Sequence, residues 1–444
     1  MKNILIAGAG KSSSYLIKYL LENSKPDWRI IVMDASAEAI KEKTFGHPRA
    51  IAAVIDVTNE AQRQALVQDA SIVISILPPD LHFLLAKDCL KFKKHLITSS
   101  YIAPEIKALD KEVKEAGLIF MCEMGLDPGI DHMSAMAICH SIQKIAGEIT
   151  SFKSFCGGVV APESDNNPWH YKISWNPRNV VLSGKAGAEW KENGTIKQLE
   201  YSDIFEKNKR IKVDSVGLMS YYPNRDSLNY IDLYGLQQVD TFMRATLRFP
   251  SYSKAWNYIV KMGLTDEDDQ FDTIGKSYAD WMSFKTGVPI KEGWDIAVAE
   301  KFMIGDKSLD LLKWLGIFES SLLIKREGIF SSAEIMQDVI EDRWKLMAND
   351  KDMIVMQHQV TYMRRNTTTN LTSNLVVKGE NSLYSAMAKT VGLPMAILAK
   401  KIIDEEILPT RHTIGVKIPI MPEVYRVVLR ELKKNGITFE EQVD

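Results

Sequence analysis

Three short apolar runs near the amino terminus, each followed by a helical pattern, constrain the fold more than any other feature of the chain. They read N-I-L-I-A-G from Asn3 to Gly8, R-I-I-V-M-D from Arg29 to Asp34 and A-I-A-A-V-I-D from Ala50 to Asp56. Near-continuous apolar runs of this length suit parallel strands covered on both faces. Helical patterns lie between them, from Tyr15 to Glu22 and from Ala37 to Phe45. Ser71 to Leu77 supplies a fourth strand and His95 to Thr98 a fifth. Strand and helix alternate, which predicts a doubly wound parallel sheet of the Rossmann type with right-handed crossovers.

The turn after the first strand is Gly8-Ala9-Gly10-Lys11-Ser12-Ser13. A strand before it and a helix after it are the context that a dinucleotide fingerprint needs. Gly8 permits the tight turn, and Gly10 lets the backbone approach a pyrophosphate at a helix N-terminus. Ser13 replaces the third glycine of G-x-G-x-x-G and is small enough for close packing. Lys11 and Ser12 complete the cofactor turn. Gly10-Lys11-Ser12 imitates the end of a phosphate loop, but Leu5 stands where that motif needs its first glycine, so an ATP or GTP site is rejected. Asp34 ends the second strand, where a carboxylate accepts from ribose hydroxyls and repels a 2′-phosphate. NAD is therefore expected as cofactor, with NADP as the alternative. Asp56, Val57 and Thr58 end the third strand on the adenine side, and Leu77 ends the fourth. The bland reading of Asp34 and Asp56 is turn or helix capping.

Composition sets limits on partners. The 444 residues carry 55 Lys and Arg against 57 Asp and Glu, a formal net charge of −2. A balance so near neutral argues against a mainly electrostatic nucleic-acid or anionic-membrane partner. No stretch has 18 uninterrupted apolar residues, so no spanning helix is expected. Cys89, Cys122, Cys139 and Cys156 are too few and too scattered for a disulfide framework, which points to the reducing cytoplasm. The spacing of His132 and His140 matches no helical zinc site, and no metal is expected.

From residue 98 onward the sequence carries a distinctive ordered series of blocks. They are Thr98-Ser99-Ser100-Tyr101, Gly125-Leu126-Asp127-Pro128-Gly129-Ile130-Asp131-His132, Cys156-Gly157-Gly158, Ala161-Pro162-Glu163, Asn167-Pro168, Tyr171-Lys172-Ile173-Ser174-Trp175, Tyr222-Pro223-Asn224-Arg225-Asp226-Ser227 and Arg244-Ala245-Thr246-Leu247-Arg248. This series resembles the glutamate-forming saccharopine dehydrogenases, also called saccharopine reductases, along essentially the whole chain. The resemblance implies reversible hydride transfer between NAD(P) and the secondary amine of saccharopine, a reaction of lysine metabolism. The products are L-glutamate and 2-aminoadipate 6-semialdehyde.

A substrate with three carboxylates around one amine calls for fixed cationic forks, which arginine supplies. The resemblance implies that Arg225, Thr246, Leu247 and Arg248 bind saccharopine, together with Ser99, Ser100, Tyr101 and Asp127. Arg244 and Arg248 are four apart and would share a face on a helix. A basic pair at that spacing is more often a solvated face, so Arg244 stays open. Leu126-Asp127-Pro128 reads as a turn. The resemblance puts it between nicotinamide and substrate, with Asp127 as the catalytic residue orienting the amine or exchanging its proton. Asp131 and His132 are the alternatives, and His132 reads more readily as a packing residue. Thr98, Ser99 and Ser174 match cofactor contacts of the family. Family members usually carry Tyr before Cys-Gly-Gly, and this chain has Phe155.

The remaining pattern suggests a second mixed sheet from Ile149 to Gly158 and Val355 to Val377, with a helical stretch from about Asp232 to Ala348 between them. Ser382 to Lys401 reads as a helix interrupted near Gly392 and Pro394. Glu423 to Lys434 reads as a final amphipathic helix, and by resemblance this tail returns to the first domain. The expected organisation is a dinucleotide domain over 1–125 and 385–444, a mixed α/β substrate domain over 126–230 and 349–384, and a helical subdomain over 231–348. The fold class is α/β, with the substrate domain inserted as an α+β unit. A homodimer is the expected assembly. Two other readings stay open beside the main one. A carboxynorspermidine or homospermidine synthase would act on polyamines and ask for acidic pocket residues. A non-catalytic NAD(P) sensor would have no need to keep Asp127, Arg225 and Arg248 together.

Overall fold

In the computed structural model, which describes residues 2–207 and 209–444, the chain divides into two units. The first comprises Met1–Ile149, Tyr362–Thr369 and Leu375–Glu441, and the second Thr150–Thr361, Asn370–Asn374 and Gln442–Asp444. The first unit alternates strand and helix as its apolar runs predict: β1 (Lys2–Ala7), α1 (Ser14–Asn23), β2 (Trp28–Asp34), α2 (Ala37–Thr44), β3 (Ala50–Val54), α3 (Glu60–Asp69), β4 (Ile72–Ser75), α4 (His82–Lys91), β5 (His95–Thr98), α5 (Pro104–Ala108), α6 (Asp110–Glu115), β6 (Ile119–Met121) and α7 (Ile130–Lys144).

Six of these strands and the strand Gly415–Lys417 form one parallel sheet. Its order is Gly415–Lys417, β6, β5, β4, β1, β2, β3. The order reverses between β1 and β4, the switch point where open α/β sheets bind ligands outside their carboxyl ends. Leu5, Ile31, Val73, Leu96 and Phe120 from the central strands meet Val67 and Leu85 from α3 and α4 in one buried cluster. Each such side chain, fully buried, contributes roughly 1.5–3 kcal/mol.

β3 departs from the expectation of full cover. It is the edge strand, and Ile51 and Val54 are exposed. An apolar run therefore marks a strand here without marking its place in the sheet.

Residues 375–441 belong to this unit, and Gly415–Lys417 pairs with β6. The helix Ala386–Ile403 is continuous, however, with Pro394 inside it. Gly392 is there for packing. A Cβ at this position would lie 2.9 Å from Leu16 N and 3.1 Å from Ser12 O, so its lack of a side chain lets the helix rest on the start of α1. Ser14 Oγ also donates to Leu383 O at 2.5 Å.

The second unit is built on a mixed sheet. Its central path runs Lys209–Val213, Gly217–Pro223, Thr241–Arg248, β7 (Glu148–Val160) and Asp352–Arg364. The stretch expected to be helical from Asp232 thus contains a central strand, Thr241–Arg248, and its longer helices begin only at Pro250. Two later helices, Tyr278–Thr286 and Ser332–Arg343, start on capping boxes built from Ser277 with Asp280 and Ser331 with Glu334. The β-like run expected over Val355 to Val377 is two strands. They are joined at Arg365 and Asn366, both left-handed with φ of 47° and 61°, as a tight hairpin turn requires. Among the described residues, no helix is long and apolar enough to cross a membrane.

The close seat of Gly392 is testable. Gly392→Val is expected to cost about 1–3 kcal/mol through overpacking. Urea unfolding followed by circular dichroism reads the loss, and an unchanged midpoint would refute the close approach.

Candidate active site

The first unit gathers its candidate residues at the carboxyl ends of β1, β2, β4 and β5. Gly8 has φ of +108°, and a Cβ there would sit 2.9 Å from Ile76 O, so the tight turn needs glycine. Gly8 N donates to Met33 O at 2.8 Å, and Ala9 N donates to Asp34 Oδ2 at 2.7 Å. The glycine turn is thereby tied to the end of β2. Asp34 Oδ1 accepts from Ser36 N at 2.9 Å, while the N-cap of α2 is Ser36 itself. Asp34 is thus a bracing turn residue as well as an acid placed beside the cofactor turn.

Gly10 is exposed, with nothing within 4 Å of a built Cβ, so open space lies over the turn. Lys11 is exposed too, and Ser12 partly so. Ser13 is buried and donates to Gly10 O at 2.8 Å. These residues fit a dinucleotide pyrophosphate: a free approach over Gly10 and the start of α1 beyond it.

Asp56 is exposed at the end of the edge strand. Its Oδ1 accepts from both the amide and the hydroxyl of Thr58 at 2.8 Å, which holds its carboxyl below the usual range. The N-cap of α3 is Asn59, not Asp56. Val57 and Leu77 are partly exposed. Val57 O accepts from Arg63 Nη1 at 2.6 Å, and Arg63 is in turn paired with Asp88 at 2.5 Å in the interior.

The Thr98–Tyr101 and Glu123–Gly129 segments lie side by side. Met124 N donates to Thr98 O at 2.9 Å and Glu123 N to Ser100 O at 3.1 Å. Gly125 is so close to Ser99 that a Cβ would meet Ser99 Cβ at 3.2 Å. Within the turn, Gly125 N donates to Pro128 O at 2.9 Å and Asp131 N to Leu126 O at 3.1 Å. The Asp127–Pro128 peptide is cis. Gly129, with φ of +144°, has Gly125 O 2.1 Å from the place of its missing Cβ. Asp127 is partly exposed, and Tyr101 Oη donates to its Oδ1 at 3.3 Å.

Asp131 and His132 are buried. Asp131 Oδ1 accepts from Gly129 N at 2.6 Å, and His132 Nε2 lies 2.8 Å from Glu123 Oε2. Both therefore brace the turn, and Asp127 is the member of the group that reaches the surface.

One contact was not visible in the sequence. His82, the first residue of α4, bridges Ser75 Oγ at 2.7 Å and Ser100 Oγ at 2.8 Å. Burial lowers its pKa to about 4. A lone histidine in P-P-D-L-H-F offers no spacing signal.

The second unit holds the arginines. Arg244 and Arg248 share a face because a strand repeats every two residues, and the expected helix is absent. Register puts Thr246 opposite Cys156 on one side and Tyr222 on the other, all on that same face. Arg248 is 4% exposed. Its guanidinium lies 5.2 and 5.5 Å from the ring centroids of Tyr171 and Tyr252, which adjoin each other at 5.2 Å, and Nη1 donates to Leu247 O at 2.8 Å. Burial raises the pKa of both tyrosines, so they stay protonated.

Arg244 is 1% exposed and sits 4.5 Å from the Tyr230 ring centroid. Thr246 is partly exposed and Leu247 fully buried. Gly157 lies so close to Leu247 that a Cβ would come within 2.3 Å of its carbonyl oxygen, which explains a glycine after Cys156. Arg225 is exposed, with φ of +52°. Its loop is fixed to the central strand: Asn224 N donates to Arg244 O at 2.9 Å, and Arg244 N to Ser227 Oγ at 3.0 Å. Ser174 is buried beside Ile173, whose N donates to Trp344 O at 2.8 Å. Phe155 pairs in register with Ala245 and so faces away from the arginines. It packs edge-on against Tyr221 at 4.8 Å, in the interior.

A glycine turn, a bracing acid and an acid-bearing loop at the switch point define the first unit as a dinucleotide-binding module of the kind that serves oxidoreductases. Family models give the particular kind. Residues 4–121 match the saccharopine dehydrogenase NADP binding domain and residues 125–437 the saccharopine dehydrogenase C-terminal domain. The chain belongs to the saccharopine dehydrogenase family.

The mitochondrial alpha-aminoadipic semialdehyde synthase of Bos taurus is 32% identical over 99% of this chain and 48% of its own length, so the chain spans about half of that relative. The saccharopine dehydrogenase [NADP(+), L-glutamate-forming] of Saccharomyces cerevisiae is 30% identical over 99% of both chains. The solved apo form of saccharopine dehydrogenase (L-Glu forming) from the same yeast superposes over 100% of both chains, with a TM-score of 0.88 and 30% identity.

Burial of neutral His82 predicts a pH effect. An unfolded histidine binds a proton below about pH 6.5, whereas the folded one resists until about pH 4. Stability is thus lost as pH falls through that window, on the order of 3 kcal/mol from this group. Denaturant unfolding at pH 7 and pH 4.5 is expected to show a smaller acid loss in His82→Gln than in the native protein. Equal losses would contradict a neutral buried imidazole.

Proposed function

We propose that this chain is an L-glutamate-forming saccharopine dehydrogenase. The supporting observation is Asp127, held by Tyr101 next to the end of β5, in a chain related to the yeast enzyme from end to end. When bound, a nicotinamide dinucleotide would supply the acceptor for a hydride from the lysine-side carbon of the secondary amine of saccharopine. The chain's residues supply the rest. Asp127 takes the amine proton as the carbon–nitrogen double bond forms, gives it up to solvent, and then carries the protons of the attacking water to the nitrogen as the aldehyde forms. Tyr101 holds the Asp127 carboxylate in place. Cleavage of the carbon–nitrogen bond releases L-glutamate and the semialdehyde. Arg225 and Arg248, with Ser99, Ser100, Thr246 and Leu247, bind the substrate, and the arginines hold its carboxylates. Ser174, Thr98, Leu126 and Pro128 line the cofactor.

Asp34 supports NAD as the cofactor. Its carboxylate is fixed by Ala9 N and Ser36 N, where a 2′-phosphate would be repelled, and Ala35-Ser36-Ala37 offers no basic side chain. The yeast relative's name gives NADP, so the preference has to be measured.

Saccharopine with NAD is expected to raise absorbance at 340 nm. No reduction of NAD or NADP, together with no oxidation of either reduced form by semialdehyde plus glutamate, would end this reading. Asp127→Asn is expected to lower kcat by about 10²–10⁴ while the circular dichroism spectrum stays native. Asp34→Ser combined with Ala35→Arg is expected to shift kcat/KM toward NADP at least tenfold, and no shift would remove Asp34 from cofactor choice.

A further inference from the structure

Ser75, His82 and Ser100 form a chain of hydrogen bonds that runs from the interior of the first unit to its ligand side. Ser75 ends β4 and is 0% exposed, His82 is 2% exposed, and Ser100 is partly exposed. The two links measure 2.7 and 2.8 Å. A neutral imidazole has one donor and one acceptor, so the chain has only two polarities. In one, Ser75 donates to Nδ1 and Nε2–H donates to Ser100. In the other, Nδ1–H donates to Ser75 and Ser100 spends its proton on Nε2.

Among the described residues Ser75 Oγ has no hydrogen-bond partner other than His82. The second polarity would therefore leave a fully buried hydroxyl proton without an acceptor, which folded proteins avoid. An imidazolium would strand the same proton, and burial holds His82 neutral down to about pH 4. The first polarity remains.

We propose that Ser75 fixes His82 as the Nε2–H tautomer, which frees the Ser100 proton to point outward and makes Ser100 a dedicated donor to a carboxylate of the substrate. His82 is on this account a positioning residue that acts through Ser100, and Ser75 sets the polarity from behind. The kinetic part rests on the reading that Ser100 touches saccharopine, whereas the tautomer does not.

Two measurements separate these parts. Long-range ¹H–¹⁵N correlation spectra of the native protein, with His82 assigned by its loss in His82→Gln, are expected to show the Nε2–H form. The Nδ1–H form would overturn the proposal whatever the enzyme acts on. In steady-state kinetics, Ser75→Ala and His82→Leu are expected to raise the KM for saccharopine about tenfold, with kcat and the dinucleotide Kd within threefold of native. His82→Gln, whose amide reaches the Nε2 position and offers an acceptor to Ser75, is expected to restore most of the affinity. Should His82→Leu fail to fold, Ser75→Ala carries the test. An unchanged KM in a folded Ser75→Ala protein that still shows a native kcat would overturn the role of the relay in substrate binding.

Discussion

Glu123 carries a carboxylate into the interior of the first unit, and the arrangement around Asp127 depends on how that charge is satisfied. A buried carboxylate without partners costs several kcal/mol. Here Oε2 meets His132 Nε2 at 2.8 Å and Oε1 accepts from Ile102 N at 3.2 Å. The first partner comes from the start of α7 and the second from the segment after β5. One side chain therefore fastens the segment that presents Ser100 and Tyr101, the loop that presents Asp127 and the start of α7. Its own backbone is left-handed, with φ of +54°, a conformation kept only where surrounding contacts enforce it. Asp127 lies four residues on and stays partly exposed. The buried acid does the holding, which leaves the partly exposed one placed for the proton exchange proposed for it.

The second unit meets a related difficulty with opposite sign. Arg244 and Arg248 are almost fully buried cations. Aromatic rings take the place of water around them, with Tyr230 beside the first and the adjoining pair Tyr171 and Tyr252 beside the second. A guanidinium buried against two rings and bonded to Leu247 O has few rotamers left. In the substrate-binding role proposed for Arg248, it would receive a carboxylate without ordering itself first, the preorganisation that anion recognition rewards.

The sequence was most informative where a residue type admits one physical reading. Gly8 must adopt a positive φ, and the apolar runs must be strands, whether covered or, like β3, at an edge, so most of the first unit was legible. Where one pattern fits two geometries, the reading went astray. Arg244 and Arg248 are neighbours on a helix by a repeat of 3.6 and on a strand by a repeat of two. The alternation R-A-T-L-R, polar on one side and apolar on the other, was the signal for a strand. Gly392 and Pro394 looked like helix breakers because their reason lies in α1, far away in sequence. Glu123 and His82 could not be found at all, because their meaning comes from partners that only the fold supplies. The site residues of the second half were reached through the resemblance of whole blocks, since a lone arginine carries no local mark of its ligand.

The seat of Gly392 on α1 bears on how the chain becomes a protein. The helix that opens at the cofactor turn buries Leu16, Ile17 and Leu20, and its cover includes a helix some 370 residues downstream. At ordinary synthesis rates that gap is tens of seconds. Throughout that interval the turn meant for the cofactor stands on a helix with an apolar flank uncovered, a surface that invites wrong partners. The nascent chain therefore has a long period of exposure, and the dinucleotide module, though first in sequence, is among the last parts to be finished.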